Sequence, residues 1–148
     1  MARIRLRRMM TKAKTSRVKH AAFPTADITA FCQDLANWPR SWMGLEKDLP
    51  PGEALIECFR PFIEHLAAKG LANATIRQHV DNLWAVGGEI IRDLHYDSSL
   101  RRKPADQLLR SAVHQFGGPA VHNASEEQQR SVNATCRQLH RFLTRSWR

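Results

Sequence analysis

The side chains of this 148-residue chain best suited to metal binding or nucleophilic chemistry are seven histidines, three cysteines and one tyrosine, Tyr96. No histidine begins an HExxH zinc pattern, and the cysteines form no CxxC pair. The sequence also lacks the phosphate-binding patterns GxxxxGKS/T and GxGxxG and the nucleophile turn GxSxG. We therefore expect no metal, no cofactor and no enzymatic activity, with histidines at the surface or at helix ends.

The cysteines indicate a reducing compartment. Cys32, Cys58 and Cys136 are far apart and odd in number, and the last two lie among apolar helical positions. This is typical of buried, reduced thiols in a cytoplasmic protein. The sequence contains no run of about 18 apolar residues, so no membrane span is expected. The N-terminus lacks the apolar stretch of a secretory signal.

Basic residues carry the strongest signal in the sequence. The net charge is +9, and residues 1–20 hold eight basic residues and no acidic one. Those eight are Arg3, Arg5, Arg7, Arg8, Lys12, Lys14, Arg17 and Lys19. The rest of the chain carries the other 15 of the 23 basic residues against 14 acidic ones, so it is nearly neutral.

A block of like charges repels itself, so residues 1–22 are predicted to form a flexible basic arm. Its natural partner is a polyanion, with nucleic acid first and an anionic membrane surface second. A purely solubilising segment, or a wrongly assigned start of the chain, is the alternative interpretation.

The first half of the remaining chain predicts two helices and a connector. Residues 25–36 predict a helix with Thr25 as N-cap and with Ile28, Phe31 and Leu35 on one face. Residues 38–53 hold three prolines and two glycines and predict a connector packed down by its tryptophans. Residues 53–69 predict the next helix, where Pro61 is expected to cause a kink or break.

A long third helix is predicted over residues 70–94, with Asn73 as its N-cap. Its apolar stripe recurs at intervals of three and four and consists of Ile76, Val80, Leu83, Trp84, Gly87, Ile90, Ile91 and Leu94. A glycine inside a helix costs roughly 0.8–1 kcal/mol relative to alanine. Gly87 on the stripe therefore indicates close approach of another helix, and a hinge at the Gly87–Gly88 pair is the alternative.

Two further helices complete the predicted architecture. Tyr96 and three basic residues fall in a loop, after which a helix is predicted from Pro104 to Phe116. Its apolar residues are Leu108, Leu109, Ala112, Val113 and Phe116. A capping box of Ser125 and Gln128 opens the last helix. Its apolar face comprises Val132, Cys136, Leu139, Phe142, Leu143 and Trp147, and its basic stripe comprises Arg137, Arg141 and Arg145. With no β pattern, the fold class is all-α: a single compact bundle of about five helices over residues 23–148.

Residues 55–145 resemble the core-binding domain of tyrosine recombinases, the phage-integrase family. The similarity lies in the stretches "FIEHLAAKGLANATIRQHVDNLWAVGGEII" and "SEEQQRSVNATCRQLHRFLTR". It implies a compact helical domain that grips duplex DNA through the major groove. The positions that match its DNA-binding pattern are Asn73, Thr75, Arg77, Gln78, Arg137 and Arg141. A helix N-terminus with exposed amides suits phosphate, and arginines along a helix suit phosphates or guanine edges.

The chain departs from that family in its chemistry. No HxxR motif follows any histidine, and Tyr96 lies in mid-chain, so we expect a core-binding-type module without recombinase activity. The leading hypothesis is a non-catalytic module for duplex DNA, associated with a mobile element. The alternative is a helical protein-interaction module whose basic tail binds RNA or an acidic partner.

Overall fold

The computed structural model describes residues 28–146, and in that range the chain forms five α-helices and no β-strand. The helices are α1 (Trp38–Trp42), α2 (Leu49–Ala68), α3 (Asn73–Tyr96), α4 (Ala105–Ala112) and α5 (Glu126–Ser146). Three 3-10 segments flank these helices: Leu35–Asn37 before α1, Glu46–Asp48 between α1 and α2, and Ser98–Arg102 between α3 and α4. The predicted all-α fold is therefore confirmed. Thr25, Trp147 and the eight basic residues of 1–20 lie outside the described residues.

The helix predicted over 25–36 is wrong in its described part. Residues 28–34 form successive turns, closed by backbone hydrogen bonds such as Phe31 N–H to the Ile28 carbonyl at 2.9 Å. Ile28 and Leu35 are nevertheless buried, as their apolar character requires. A helix of this length is marginal in water, so burial against the bundle decides the local conformation instead.

The predicted connector contains more helix than expected. Trp38–Trp42 forms α1, with Pro39 in its first turn. α2 begins at Leu49 rather than at residue 53, because two prolines occupy first-turn positions, where a missing N–H costs no hydrogen bond. α2 also continues unbroken through Pro61, which lies on an exposed side of the helix. Its opposite face is fully buried, and this packing outweighs the lost hydrogen bond.

The N-cap of α3 lies one residue before the predicted cap, Asn73. Ala72 holds the N-cap position with an extended backbone, and Asn73 is already the first helical residue. The predicted N-cap role of Asn73 is therefore wrong. Tyr96 is the last residue of α3, not part of a loop, and its side chain is 79% exposed. The stripe from Ile76 to Leu94 is buried except at Trp84.

Gly87 lies on the buried face and marks a close contact, as predicted. A Cβ atom there would overlap Cζ2 and Cη2 of Trp42, which belongs to α1. At Gly88 a Cβ atom would lie 3.4 Å from Cδ1 of Trp42, an ordinary contact. The glycine pair thus forms the surface of α3 on which the Trp42 indole rests.

The fourth helix is shorter than predicted. α4 ends at Ala112, and Phe116 lies beyond it with 73% of its surface exposed, so its assignment to the apolar face of that helix is wrong. α5 begins as predicted: Ser125 N–H donates to Gln128 Oε1 at 2.8 Å, and Gln128 N–H donates to Ser125 Oγ at 3.1 Å. Phe142 of α5 packs on Phe62 of α2, with ring centroids 5.5 Å apart.

No helix within residues 28–146 is long and apolar enough to cross a membrane. The same part of the chain contains no group of three or more His, Cys, Asp or Glu side chains that could hold a metal ion. No disulfide joins the three cysteines, all of which are described.

A candidate nucleic-acid interface on α5

A buried set of polar side chains fixes how α5 lies on α3. His79 Nδ1 and Thr135 Oγ1 are 2.7 Å apart, and Asn82 Nδ2 donates to Ser131 Oγ at 2.9 Å and to Thr135 Oγ1 at 2.8 Å. We call these four residues the polar seam. Because the later residue of α3 meets the earlier residue of α5, the two helices run antiparallel. The N-terminus of α3 therefore lies beside the C-terminal half of α5.

The neutral form of His79 fits both its hydrogen bond in the seam and its burial. Thr135 Oγ1 accepts from Asn82, so its hydroxyl hydrogen can be donated to Nδ1 of a neutral His79 ring. Burial lowers the pKa of His79, with a smaller contribution from the positive charge of Lys69. The expectation that every histidine lies at the surface or at a helix end is wrong here, because His79 is a buried member of the α3–α5 contact.

The seam also tells which way the arginines of α5 point. Successive residues of an α-helix are rotated by about 100°, so Arg130, Arg137 and Arg141 lie about 200–240° from Thr135. Arg145 follows at about 280°. All four side chains are exposed; the first three lie on the side of α5 that faces away from α3, and Arg145 points sideways from it. We call Arg130, Arg137, Arg141 and Arg145 the α5 arginine row.

Sequence reasoning found three members of this row and missed Arg130. Arg130 precedes Arg137 by seven residues, which is two helical turns, so the spacing contained the signal. The four-residue repeat of arginines is interrupted at Asn133, which hid it.

No carboxylate neutralises the α5 arginine row within the part of the chain that the structure describes. Among the residues described there, the ion pairs involve other basic side chains: Arg60, Arg92, His95, Arg101 and Arg110. The acidic residues of α5 itself are Glu126 and Glu127, both in its first turn. The row therefore offers four exposed guanidinium groups to an external anion.

The positions matched at the start of α3 form a separate surface. Asn73, Thr75, Arg77 and Gln78 are all exposed. The Arg77 guanidinium donates to the Ala30 carbonyl at 3.4 Å, and Arg77 lies about 200° around α3 from His79, away from α5. The start of α3 lies beside the C-terminal half of α5, but Arg77 and the α5 arginine row project to opposite sides of the helix pair.

Two open cavities flank Trp84 on another part of the surface. One, of about 550 Å³, is lined by Trp42 and Tyr96 among others, and the second, of about 590 Å³, contains Asp34 and Asp81. Burial raises the pKa of Asp81, and the negative charge of Asp34 raises it further. A phosphate would be repelled by this pair, so the second cavity is a poor site for a polyanion.

Other polar clusters serve the fold rather than a reaction. Asp48 is fully buried and accepts hydrogen bonds from Gly44 N–H at 2.8 Å, His95 Nε2 at 2.7 Å and Arg101 Nη2 at 2.8 Å. Burial alone would raise the pKa of Asp48, but these bonds and one from Leu45 N–H hold it well below its usual range. The ionised carboxylate thus ties the segment before α2 to the end of α3.

Two of the three cysteine thiols, Cys58 and Cys136, are poor nucleophiles. Burial raises the pKa of Cys136 to about 12, and burial also raises the pKa of Cys58. Because the thiolate is the reactive form, neither side chain is activated for covalent chemistry at neutral pH.

Comparisons with protein-family models, with curated proteins and with solved structures find no match for this chain. The similarity to a recombinase core-binding domain accordingly stays a prediction from the sequence.

Proposed function

We propose that this protein is a non-catalytic module that binds duplex DNA through the α5 arginine row, with the basic N-terminal residues adding further phosphate contacts. The observation that carries the proposal is the row itself: four exposed arginines on one helical face, none paired with a carboxylate in the described chain. Arginine matches the planar, doubly accepting geometry of a phosphate better than any other side chain.

The dimensions of the row fit a duplex. Arg130 and Arg145 are 15 residues apart in sequence, which is about 22 Å along a helix at about 1.5 Å per residue. This length matches roughly six base pairs at about 3.4 Å of rise per pair. The row therefore can contact several phosphates of one DNA strand, or follow the edge of a major groove about 12 Å wide.

The basic N-terminal residues strengthen the electrostatic part of the proposal. Eight basic residues without an acidic one, in a chain of net charge +9, favour a polyanion as partner. Phosphate contacts of this kind are independent of DNA sequence and bring the protein to any duplex. The resemblance to the core-binding domain of recombinases is the reason for choosing duplex DNA, and a mobile element as its setting, over other polyanions.

A protein-interaction module is the second candidate function. The orientation of Arg77 favours it, because Arg77 faces away from the α5 arginine row and the two do not combine into one large basic surface. In that case the described helices bind a protein partner, and the basic N-terminal residues bind RNA or an acidic partner on their own.

Titration of fluorescent 20-base-pair DNA across a salt series tests the proposal. Arg137→Ala/Arg141→Ala should reduce the slope of log affinity against log salt by about 1.8, since each lost phosphate contact accounts for about 0.9. Affinity at low salt should fall at least about tenfold. The matched control is Arg40→Ala/Arg102→Ala, which removes the same charge from two exposed arginines outside the row. Equal losses in both double variants, or none in the first, would refute a specific role for α5.

A further inference from the structure

Phe116 is exposed in a way that the fold does not require. Its side chain is 73% exposed, although α4 ends four residues earlier and the core is closed without it. Trp84 and Tyr96, two other exposed aromatics, line a cavity, whereas Phe116 stands on the turn between α4 and α5. An exposed phenyl ring lacks the free energy that burial in the core would give, and its surface is accessible to a ligand.

The turn that carries Phe116 is held by a dense set of hydrogen bonds. His114 N–H donates to the Gly117 carbonyl at 2.9 Å, and Gly117 N–H donates back to the His114 carbonyl at 3.2 Å. Phe116 N–H donates to Nδ1 of His114 at 3.2 Å. The imidazole also lies beside the phenyl ring, with centroids 6.3 Å apart and the planes inclined by 59°. These contacts hold the backbone of the turn, and the phenyl ring stands beside the imidazole with most of its surface exposed.

The same turn is bound directly to α5. Gly118 N–H donates to Asn133 Oδ1 at 3.1 Å, and the Arg137 guanidinium donates to the Phe116 carbonyl at 3.5 Å. Gly118 packs so closely on Cys136 that a Cβ atom there would overlap its sulfur. Phe116 therefore stands next to Arg137, inside the stretch of surface that the α5 arginine row occupies.

We infer that Phe116 stacks on an unpaired base of DNA whose phosphates are bound by the α5 arginine row. This inference rests on the proposed function. A phosphate-binding arginine next to an exposed aromatic ring is the combination that binds exposed nucleotides, because every base has a face that stacks. In intact duplex DNA the bases are already paired and stacked, so an exposed ring favours DNA that contains a gap or an overhang. The expected ligand is therefore a duplex with unpaired bases, not a fully paired duplex.

Binding of two matched DNAs tests this inference with the full chain. One is a fully paired duplex, and the other is the same duplex with a two-nucleotide gap that contains the fluorescent base 2-aminopurine. The wild-type protein should bind the gapped DNA about 5- to 150-fold more tightly, the range that stacking of one base provides, and should quench the fluorescent base. Phe116→Ala should abolish the preference and the quenching but leave affinity for the paired duplex unchanged. Phe116→Tyr should retain both.

The variants separate failure of this inference from failure of the proposed function. Phe116→Ala should unfold at the wild-type temperature because the side chain is exposed, so a binding loss cannot be due to misfolding. If Arg137→Ala/Arg141→Ala binds both DNAs as the wild type does, the proposed function is wrong and the inference falls with it. If that variant weakens binding to both DNAs but the wild type shows no preference for the gap, or Phe116→Ala keeps it, the inference alone is wrong.

Discussion

Replacing Gly87 by alanine is a sharp test of how α1 packs on α3. The added methyl group would overlap Cζ2 and Cη2 of Trp42, so the indole must move. Its freedom to move is small, because Nε1 of Trp42 donates to the Trp84 carbonyl at 3.0 Å and the ring packs on Trp38 with centroids 5.8 Å apart. A displacement that relieves the overlap therefore disturbs a hydrogen bond and an aromatic contact together.

The expected magnitude follows from three terms. Overpacking costs about 1–3 kcal/mol, and the loss of one hydrogen bond costs about 0.5–1.5 kcal/mol. The better helix propensity of alanine offsets about 0.8–1 kcal/mol of this. Gly87→Ala should therefore lower the free energy of unfolding by about 0.5–3.7 kcal/mol. Gly88→Ala is the matched control: its Cβ atom would make an ordinary contact of 3.4 Å, so it should leave stability unchanged or raise it by up to about 1 kcal/mol.

Urea denaturation followed by tryptophan fluorescence measures both variants, and a double-mutant cycle identifies the cause. Trp42→Phe removes the ring atoms that the new methyl group would overlap. In that background Gly87→Ala should cost little or become stabilising. If Gly87→Ala is as stable as the wild type with Trp42 present, or if Trp42→Phe does not relieve its effect, the packing of the Trp42 indole on Gly87 is not what requires glycine.

Two other measurements test the remaining parts of the structure. Burial lowers the pKa of His79 in the folded state, so near the ordinary histidine pKa of about 6.5 the unfolded chain binds more protons than the folded chain. The stability that a neutral His79 contributes is therefore present above that pH and is lost as the pH falls below it. The urea midpoint should be lower at pH 5 than at pH 7.5, and His79→Gln should reduce the difference. Removal of residues 1–20 should weaken duplex binding and reduce its salt dependence. The truncated protein should still bind the duplex at low salt, and Arg141→Ala should reduce that remaining binding. Complete loss of binding on truncation would instead favour the protein-interaction module.

The features predicted well from the sequence are those set by local chemistry. The buried stripe of α3, the Ser125–Gln128 capping box and the close contact at Gly87 follow from apolar spacing, side-chain donors and the absence of a Cβ atom. Each of these signals lies within a few residues of the feature that it predicts. A long amphipathic helix and its first turn are therefore readable without knowledge of the rest of the fold.

The wrong predictions share a dependence on distant contacts. Of the two expected effects of Pro61, a break of α2 is wrong, because the opposite face of the helix is held by the core. Phe116 was assigned to a buried face by its spacing, but the turn bonded to α5 carries it outward. His79 is buried against Thr135, which lies 56 residues away in the sequence. No local sequence pattern reveals a hydrogen bond between residues so far apart. Tertiary context overrides local preference in all three cases.

The distribution of charge would allow a nearly neutral helical domain to bind a polyanion, as we propose. Gln128 and Val132 of α5 line the cavity that contains Asp34 and Asp81, and they lie on the α3-facing side of α5, about 20–60° from Thr135. The α5 arginine row lies on the far side, so the thickness of a helix, about 10 Å, separates those carboxylates from the guanidinium groups. At physiological salt the screening length is about 8 Å, and an anion at the row is largely shielded from the acidic cavity. The net charge of the helical domain is near zero in part because the carboxylates on one side of α5 offset the arginines on the other. An approaching duplex would be attracted to the arginine side of α5.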